Sequence, residues 1–365
     1  MINIGNKERL KELKQALGSL SRVPLTRLPT PLEPCAGLRL ELGGPELWIK
    51  RDDLSGLTLG GNKTRMIEYA LGEAIAQGVD TVVAGAGVQS NYCWQLAAAC
   101  ARLRLECHLL LGALPTEKET EIRGALLLDL LYGASVEIIP SVDWEVIGET
   151  IRRRARELEA AGRKVYLGRV GQESALGINA CGYAAAALEL LEQAAEKGLQ
   201  IDQVWVCSSD TTQAGLALAF KHLETPVRLV GVPALPEPVV PGWSFPECIS
   251  HFANQCAKIL GLKTRVLPED IISIPDYVGE GYGMITDASR EAIRLVARSE
   301  GLLLDPVYSS KAMAGLIDHI RSGRIAAHER VVYIHTGGVP ALFTAGDSLG
   351  LEDRLIASQA KGVTV

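Results

Sequence analysis

Residues 50–65 read KRDDLSGLTLGGNKTR, and this stretch sets the plan of the whole chain. The segment from Leu47 to Arg51 is typical of a short strand, and the three glycines and two aspartates between Asp52 and Gly61 predict a loop. The apolar spacing from Thr64 to Gln77 then predicts a helix. Lys63 therefore lies at the point where a loop meets the start of a helix.

The position of Lys63 suggests a chemical role. The start of a helix has unpaired N–H groups and a partial positive charge, which disfavour an ammonium group held there. A lysine that loses its proton near neutral pH can form an imine with a carbonyl compound. The alternative interpretation is an ordinary surface lysine at a helix start.

The overall composition excludes several classes of partner. The 365 residues carry a formal net charge of −6 without a block of like charge, so neither nucleic acid nor an anionic membrane is expected to bind. The segment from Met1 to Leu20 lacks the apolar core of a signal peptide, and no apolar run is long enough to span a bilayer. We therefore expect a cytoplasmic protein that is long enough for two domains sharing a cleft.

The eight cysteines are scattered along the chain, without a Cys-x-x-Cys motif. Cys93, Cys100 and Cys107 recur every seven residues, which places the first two on one face of a predicted helix. This pattern favours buried free thiols over disulfides or zinc ligands, and no metal site is expected.

After a proline-rich lead-in at residues 24–34, predicted strands alternate with predicted helices. The predicted strands are 81–84, 106–111, 135–139, 164–167, 203–207, 228–232 and 331–335, and the predicted helices are 91–103, 117–132, 144–161, 178–197, 214–222, 252–260, 287–300 and 311–322. Pro233 to Pro246 contains five prolines and predicts a loop. The alternation indicates an α/β fold, with parallel-rich sheets covered by helices on both faces. We expect a larger domain of residues 1–66 and 179–365, and a smaller inserted domain of residues 67–178.

In sheets of this kind, ligands bind beyond the carboxyl ends of the strands, and three loops at such positions are unusual. The first, GAGVQSN at residues 85–91, is similar to a dinucleotide-binding fingerprint. However, Ser90 stands where the third glycine belongs, and the next strand ends without an acidic residue for a ribose. Two interpretations stay open: Ser90 only caps the following helix, or Ser90, Asn91 and the helix N–H groups bind a carboxylate.

The second loop, at residues 207–215, reads CSSDTTQAG. Four hydroxyl groups and successive backbone N–H groups at a helix start predict a phosphate-binding nest, formed by Ser208, Ser209, Asp210, Thr211 and Thr212. The lysine and the glycine spacing of a Walker loop are absent. We expect the carboxylate of Asp210 to turn away, because it would repel a phosphate. A Ser/Thr-rich helix cap without a ligand is the alternative.

The third loop, DPVYSSK at residues 305–311, precedes a helix, and HTGG at residues 335–338 follows the last strand. Tyr308 is able to stack on a planar ring, and a neighbouring hydroxyl is able to hydrogen-bond a ring nitrogen. An imine-forming lysine, a phosphate nest, a stacking tyrosine and a carboxylate cradle together describe a site for pyridoxal phosphate and an amino acid.

With these motifs in place, the chain resembles the fold-type II pyridoxal-phosphate enzymes of the 1-aminocyclopropane-1-carboxylate deaminase and D-cysteine desulfhydrase family. The resemblance extends from about Pro24 to about Ala345 and depends on KRDDLSGLTLGGNKTR, GVQSN, TTQAGLALAF, EGLLLDPVYSSKAMAGLI and HTGGVPALF. It implies a two-domain, tryptophan synthase β-like fold, a pyridoxal 5'-phosphate cofactor, a small amino acid as substrate and a homodimer.

The resemblance also implies a role for each site residue. Lys63 would hold the cofactor through an imine, residues 208–212 would bind its phosphate, and Asn91 would bond its phenolic oxygen. Tyr308 would lie against the pyridine ring, with Ser309 at the ring nitrogen. The residues that would meet the substrate are Gln89, Ser90, Asn91, Tyr282 and Thr336.

Two positions favour one branch of the family. Where the deaminases have a glutamate that keeps the ring nitrogen protonated, this chain has Ser309, which implies a weaker electron sink. Thr336 stands where deaminases tend to have leucine. Both differences favour β-elimination, as in D-cysteine desulfhydrase, over opening of a cyclopropane ring. In the expected reaction Lys63 or Ser90 removes the α-proton, and Tyr282 or Tyr308 gives a proton to the leaving group.

The sequence also departs from the family pattern. Met66 stands where the family often has a lysine near the phosphate, and Asp210 stands where glycine is common. The first change removes a positive charge and the second adds a negative charge, so both predict weaker cofactor binding. Tyr92, with Cys93 and Trp94 beside it, is expected to reshape the substrate side, so L-cysteate is an alternative substrate. The remaining alternatives are a 1-aminocyclopropane-1-carboxylate deaminase, a catalytically silent binding protein with this fold and a Rossmann-type oxidoreductase.

Overall fold

The computed structural model describes residues 7–113, 121–168 and 173–351, which form two sheets with helices on both faces. The larger sheet has six strands in the order β1-β2-β10-β7-β8-β9, and the smaller has four in the order β5-β4-β3-β6. All neighbouring strands are parallel except β1 and β2, which pair antiparallel. The predicted α/β class is therefore confirmed.

The strands are β1 (Leu32–Pro34), β2 (Glu46–Lys50), β3 (Thr81–Gly87), β4 (Glu106–Gly112), β5 (Ser135–Ile139), β6 (Val165–Gly168), β7 (Gln203–Cys207), β8 (Arg228–Val232), β9 (Ile272–Ser273) and β10 (Arg330–Ile334). The α-helices are α1 (Lys7–Gly18), α2 (Ala36–Leu42), α3 (Asn62–Ala76), α4 (Asn91–Leu103), α5 (Gly124–Leu131), α6 (Trp144–Ala160), α7 (Glu173–Glu196), α8 (Thr211–His222), α9 (Phe245–Ile259), α10 (Asp287–Glu300), α11 (Ser309–Arg321) and α12 (Val339–Leu342). Over the described ranges, none of these helices combines the length and apolar character needed to cross a membrane.

Most predicted elements agree with the structure to within a few residues, but four were missed: β1, α2, β9 and the four-residue helix α12. Strand β1 and helix α2 lie in and just beyond the proline-rich lead-in, and β9 has only two residues. Helix α9 begins at Phe245, not at Phe252 as predicted, because Ser244 and Glu247 form a capping box and proline is tolerated in a first turn. The first residues of the helix predicted over 117–132 lie outside the described residues.

The sheet connections bring the predicted loops together. Loops that follow β3, β7 and β10 leave from the carboxyl ends of parallel strands, where ligands bind in folds of this class. All four strands of the smaller sheet lie within the segment predicted as the inserted domain, residues 67–178. The boundaries of that domain stay a prediction. All eight cysteines are buried free thiols.

A buried ion network holds the loop before α3 against helix α7. Arg65 donates to the Asp52 carboxylate at 2.8 and 3.0 Å and to the Glu189 carboxylate at 2.8 and 3.0 Å. Lys50 also pairs with Glu189, and Tyr183 donates to Asp52 at 2.6 Å. Because each charge has a partner, the network fixes the orientation of α3, the helix that carries Lys63, without leaving an unpaired buried ion.

The network makes stability depend on pH. Burial raises the pKa of Glu189, but hydrogen bonds and charges from Arg65 and Lys50 outweigh burial and bring the pKa to about 2. The ionised carboxylate therefore contributes stability above pH 4.5, the ordinary pKa, and this contribution is lost as the pH falls from 4.5 towards 2.

We expect Glu189→Gln to lower the free energy of unfolding at pH 7 by about 3 kcal/mol, because it removes the carboxylate that pairs with buried Lys50 and leaves Arg65 with Asp52 alone. Chemical denaturation at pH 7 and pH 3 measures this, and the loss of stability between these pH values should be smaller in the variant. Glu192→Gln is the matched control: this residue pairs with Lys14 at the exposed surface, so the cost should stay below about 1 kcal/mol. Equal costs for the two variants would contradict the assigned role of the network.

Candidate active site

Lys63 is the second residue of α3, and the start of this helix is fixed from several directions. The Asn62 backbone N–H donates to the carbonyl oxygen of Thr336 at 3.0 Å, and its side-chain amide donates to the Thr212 hydroxyl at 3.0 Å. Gln95, from α4, accepts hydrogen bonds from the backbone N–H and the hydroxyl of Thr64 at 2.9 and 2.8 Å. The lysine is thereby held between the last strand of the larger sheet, the hydroxyl-rich turn and α4.

The charge of Lys63 acts on the residue that precedes the hydroxyl-rich turn. Burial, followed by the charge of Asp305, raises the pKa of the Cys207 thiol, and the charges of Lys311 and Lys63 oppose this shift. Cys207 is the last residue of β7, directly before Ser208. Because Asn62, the neighbour of Lys63, is hydrogen-bonded to Thr212, the structure brings the Lys63 helix start to the predicted phosphate nest, which sequence separation alone does not guarantee.

Two glycines leave room where these loops meet. A Cβ atom on Gly338, whose φ is +102°, would lie 2.7 Å from the Asn91 amide nitrogen and 2.7 Å from Asp305 Cγ. A Cβ atom on Gly337 would lie 2.8 Å from the Cα of Gly61. Any other residue at position 338 would therefore clash with groups from two separate loops, so the glycine pair allows the close approach.

The hydroxyls of the 208–212 turn are buried or half-buried and organise its backbone. The Ser208 hydroxyl accepts from the backbone N–H of Gln213 at 3.0 Å and of Asp210 at 3.3 Å. The Ser209 hydroxyl accepts from the Ala234 N–H at 3.0 Å. Thr211 lies 3.7 Å from the sulfur of Met66, measured from its hydroxyl oxygen, so Met66 is adjacent to the turn.

The Asp210 carboxylate points into the 208–212 turn, although charge repulsion predicted that it would point away. It caps α8, accepting from the backbone N–H of Thr211 at 2.5 Å and from the Thr211 hydroxyl at 3.1 Å. The physical reason is the unpaired N–H groups and partial positive charge at the helix start, which attract a carboxylate as they attract a phosphate. The residue therefore occupies two of the donors predicted for a phosphate.

The residues of the first loop also make structural contacts. The Ser90 hydroxyl caps α4 by accepting from the N–H groups of Tyr92 and Cys93 at 3.2 and 3.3 Å. The Gln89 amide oxygen accepts from the Ala125 N–H at 2.8 Å, so this side chain is bonded to the start of α5. Ser90 therefore caps the helix, with its acceptor capacity used by two backbone N–H groups, and its binding of a carboxylate stays a prediction.

The unusual residues after Asn91 face the interior of the smaller sheet. Tyr92 and Cys93 are buried in the hydrophobic core around β3 and β4. The Trp94 indole N–H donates to the Asn91 side-chain oxygen at 3.2 Å. Trp94 therefore fixes the orientation of the Asn91 amide, whose nitrogen points to the space above Gly338.

Two tyrosines from separate segments face each other across the site. The hydroxyls of Tyr282 and Tyr308 are hydrogen-bonded, and their rings lie edge to face with centroids 6.0 Å apart. A Cβ atom on Gly87 would lie 3.7 Å from the Tyr282 ring, so this ring covers the end of β3. Burial, followed by the neighbouring Tyr282, raises the pKa of Tyr308 well above its usual value, which keeps its phenol protonated.

Ser309 is bonded to a buried carboxylate. Its hydroxyl donates to Asp305 at 2.6 Å and accepts from the Asp305 backbone N–H at 2.7 Å. Asp305 also accepts from the N–H groups of Val307, Tyr308 and Ser309 at 2.7–2.9 Å. Burial raises the pKa of Asp305 although these hydrogen bonds lower it. No role was expected for Asp305 from the sequence. Its position four residues before Ser309, in the DPVYSSK loop, was the signal that could have identified it.

The residues fit a phosphorylated aldehyde cofactor. The Asn91 amide nitrogen and Asp305 border the space above Gly338, which a Cβ atom would fill, and the helix start that carries Lys63 is bonded to the hydroxyl-rich turn through Asn62 and Thr212. The hydroxyl oxygen of Ser310, which is buried beside Ser309, has no hydrogen-bond partner among the described residues. In the described part of the chain, no three histidine, cysteine, aspartate or glutamate side chains are grouped to hold a metal ion.

Comparisons with known proteins point to the same class of cofactor. A family model described as pyridoxal-phosphate dependent enzyme matches residues 23–337. The chain is 38% identical over 339 residues to a 1-aminocyclopropane-1-carboxylate deaminase of Burkholderia ambifaria, covering 89% of this chain and 96% of the relative. It is also 38% identical to the corresponding deaminase of Ralstonia nicotianae, covering 88% and 95%.

Solved structures show the same fold. A crystal structure described as that of an ACC deaminase homologue is 32% identical, has a TM-score of 0.82, and covers 93% of this chain and 98% of its own. The diaminopropionate ammonia lyase of Escherichia coli, in its apo form, is 16% identical with a TM-score of 0.63, covering 97% and 94%. The second similarity concerns the fold alone.

We expect Asp210→Asn to bind pyridoxal phosphate about tenfold more tightly, a change of about 1.4 kcal/mol, because it removes a carboxylate charge from the phosphate's donors. Titration of the cofactor-free protein, followed by visible absorbance, measures the dissociation constant. Glu224→Gln is the matched control, because it removes the same charge just beyond the far end of α8, where Glu224 is exposed. Unchanged or weaker binding by Asp210→Asn would contradict the competition between this carboxylate and a phosphate.

Proposed function

The chain belongs to the fold-type II pyridoxal-phosphate dependent enzymes, in the family of 1-aminocyclopropane-1-carboxylate deaminase, and on this premise we propose that it catalyses β-elimination from a small amino acid. The proposed substrate is D-cysteine, which with water gives pyruvate, sulfide and ammonia. The enzyme would thus be a deaminating carbon–sulfur lyase.

The observation that carries the proposal is the Ser309–Asp305 pair. Ser309 presents a neutral hydroxyl, which favours a protonated ring nitrogen less than a carboxylate would, and the nearby Asp305 carboxylate is occupied by the Ser309 proton and by backbone N–H groups. A weaker electron sink suits the loss of a good leaving group such as sulfide better than the opening of a cyclopropane. Thr336, which is buried at the same end of the sheet, has the same implication by resemblance.

In the proposed mechanism, bound pyridoxal phosphate supplies the aldehyde that accepts the amino group of the substrate and a ring that withdraws electrons from its α-carbon. Lys63 holds the cofactor and takes the α-proton on its side-chain nitrogen. Ser90 is a poor base, because its oxygen accepts two backbone N–H groups, so its proton is free to bind the substrate carboxylate with Asn91 and Gln89. Residues 208–212 bind the phosphate.

The tyrosine pair completes the proposed reaction. Tyr282 and Tyr308 share a hydrogen bond, so one proton of the pair is available to the leaving sulfur while the other maintains the contact. Burial keeps Tyr308 protonated, and its ring is proposed to lie against the cofactor, with Ser309 beside the ring nitrogen. Tyr282 is more exposed and would meet the substrate from the opening of the site.

A second candidate is the deamination of 1-aminocyclopropane-1-carboxylate. The observation in its favour is the activity for which the relatives from Burkholderia and Ralstonia are named. The homodimer and the cytoplasmic location implied by the sequence stay predictions, as does the division into domains of residues 1–66 with 179–365 and residues 67–178.

We expect the purified holoenzyme to release keto acid from D-cysteine at least about tenfold faster, in kcat/KM, than from the cyclopropane amino acid, because Ser309 weakens the ring as an electron sink. A coupled assay for keto acid, with L-cysteine, D-serine and L-cysteate in the same panel, measures the ratio. Faster release from the cyclopropane substrate would establish the second candidate. Absence of keto acid from every substrate would support a catalytically silent protein.

Lys63→Ala should abolish covalent capture of the cofactor. After reduction with borohydride, the native protein should carry the cofactor mass on the peptide that contains residue 63, and the variant should carry none, because the amine is removed. Intact-protein and peptide mass spectrometry measure this. Lys221→Ala is the control, since this lysine pairs with Asp270 at the surface and should leave the labelling unchanged. Equal labelling of native protein and Lys63→Ala would refute the assignment.

A further inference from the structure

Lys311 is a fully buried lysine in the first turn of α11, three residues after Tyr308. Its ammonium group donates to the backbone carbonyl oxygens of Val278 at 2.5 Å and of Gly281 at 3.3 Å. Neither partner is an anion, so the lysine is not explained as half of a buried ion pair. A buried cation costs free energy unless its contacts compensate, and here the contacts are with one short segment of backbone.

That segment carries Tyr282. Residues 278–286 form an irregular connection between a short helical turn and α10, and residues 279, 280 and 282–284 are exposed. Gly279 and Gly283 have φ values of +77° and +79°, which few other residues adopt. Contacts within the segment also help to fix its path: the Val278 side chain is buried, the Val278 N–H donates to the Pro275 oxygen at 3.0 Å, and the Met284 N–H donates to the Gly281 oxygen at 3.3 Å.

We propose that Lys311 is a positioning residue for Tyr282: by holding the carbonyls of Val278 and Gly281, it aligns the Tyr282 hydroxyl with that of Tyr308. Helix α11 then positions both tyrosines. Tyr308 directly precedes its first residue, and Lys311, in its first turn, holds the segment that carries Tyr282. The tyrosine pair depends on a rigid helix on one side and on a segment tied to the same helix on the other.

The alternative is a purely structural lysine whose loss would weaken packing in general. The neighbouring turn offers a comparison, because Tyr277 is also bonded to α11, through Asp318. Its ring fills the space beside Gly315, where a Cβ atom would lie 2.9 Å from the ring. Removing the Tyr277 hydroxyl therefore loosens a contact between the same helix and the preceding turn without touching the carbonyls that Lys311 holds.

The first test is hydrogen–deuterium exchange of the cofactor-free protein, which is independent of the proposed reaction. We expect Lys311→Met to speed exchange in residues 279–286 at least about tenfold, with residues 203–215 unchanged. Lys311→Arg, which keeps N–H donors, should restore much of the protection, and Tyr277→Phe should leave residues 279–286 as in the native protein. Unchanged exchange in Lys311→Met would overturn the proposal.

The second test is a double-mutant cycle in the holoenzyme, and this part rests on the proposed function. Lys311→Met should lower kcat/KM by about tenfold to a hundredfold, as expected for a displaced catalytic group, with cofactor affinity unchanged. Combined with Tyr282→Phe, it should cost less than about twofold more than Tyr282→Phe alone. If the decrease in kcat/KM of the double variant equals the product of the decreases in the two single variants, the proposal is overturned. If no substrate is turned over, the proposed function fails, while the exchange test still decides the role of Lys311.

If Lys311→Met does not fold, Lys311→Gln and Lys311→Arg replace it in both measurements. Glutamine reaches less far and offers no charge, so residues 279–286 should exchange faster in Lys311→Gln than in Lys311→Arg. Equal exchange in these two variants would overturn the proposal in the same way.

Discussion

The start of helix α3 is the constraint on which the site depends. Gly61 has a φ of +128°, and a Cβ atom there would lie 2.6 Å from the Gln95 amide, so the chain turns into the helix in direct contact with α4. Asn62 joins the same point to Thr336 and Thr212, and Gln95 satisfies the N–H of Thr64. The backbone of a lysine on such a helix start is therefore held in a fixed position.

At the site, the cost of burying carboxylates is offset by the hydrogen bonds that they accept. Asp305 is buried and accepts three backbone N–H bonds, and Asp210 caps the helix that would receive a phosphate. Both acidic groups are held by N–H groups at helix starts, where a carboxylate is stabilised. The buried network of Lys50, Asp52, Arg65 and Glu189 supports α3 from the opposite direction. The position of Lys63 is thus set by paired charges and helix ends together.

The sequence predicted elements best where its local signals were strong. Helix α4 and strands β5, β7 and β8 match residue for residue, because their apolar patterns are continuous and their ends are marked by polar or glycine residues. Strand β1 and helix α2 were missed because prolines 24–34 were interpreted as an extended lead-in. The start of α9 was placed too late because Pro246 was interpreted as part of a loop, although Ser244 and Glu247 supply the cap.

By itself, the sequence determined the α/β class and the family, and it predicted which residues form the site, because motifs at strand ends are local and carry their own chemistry. Tertiary structure decided what those side chains bind. The Asp210 carboxylate caps α8, Ser309 donates to Asp305, and Lys311 holds the segment of Tyr282. These partners are set by competition among nearby donors and acceptors once the chain is packed, and sequence spacing contains no record of that competition.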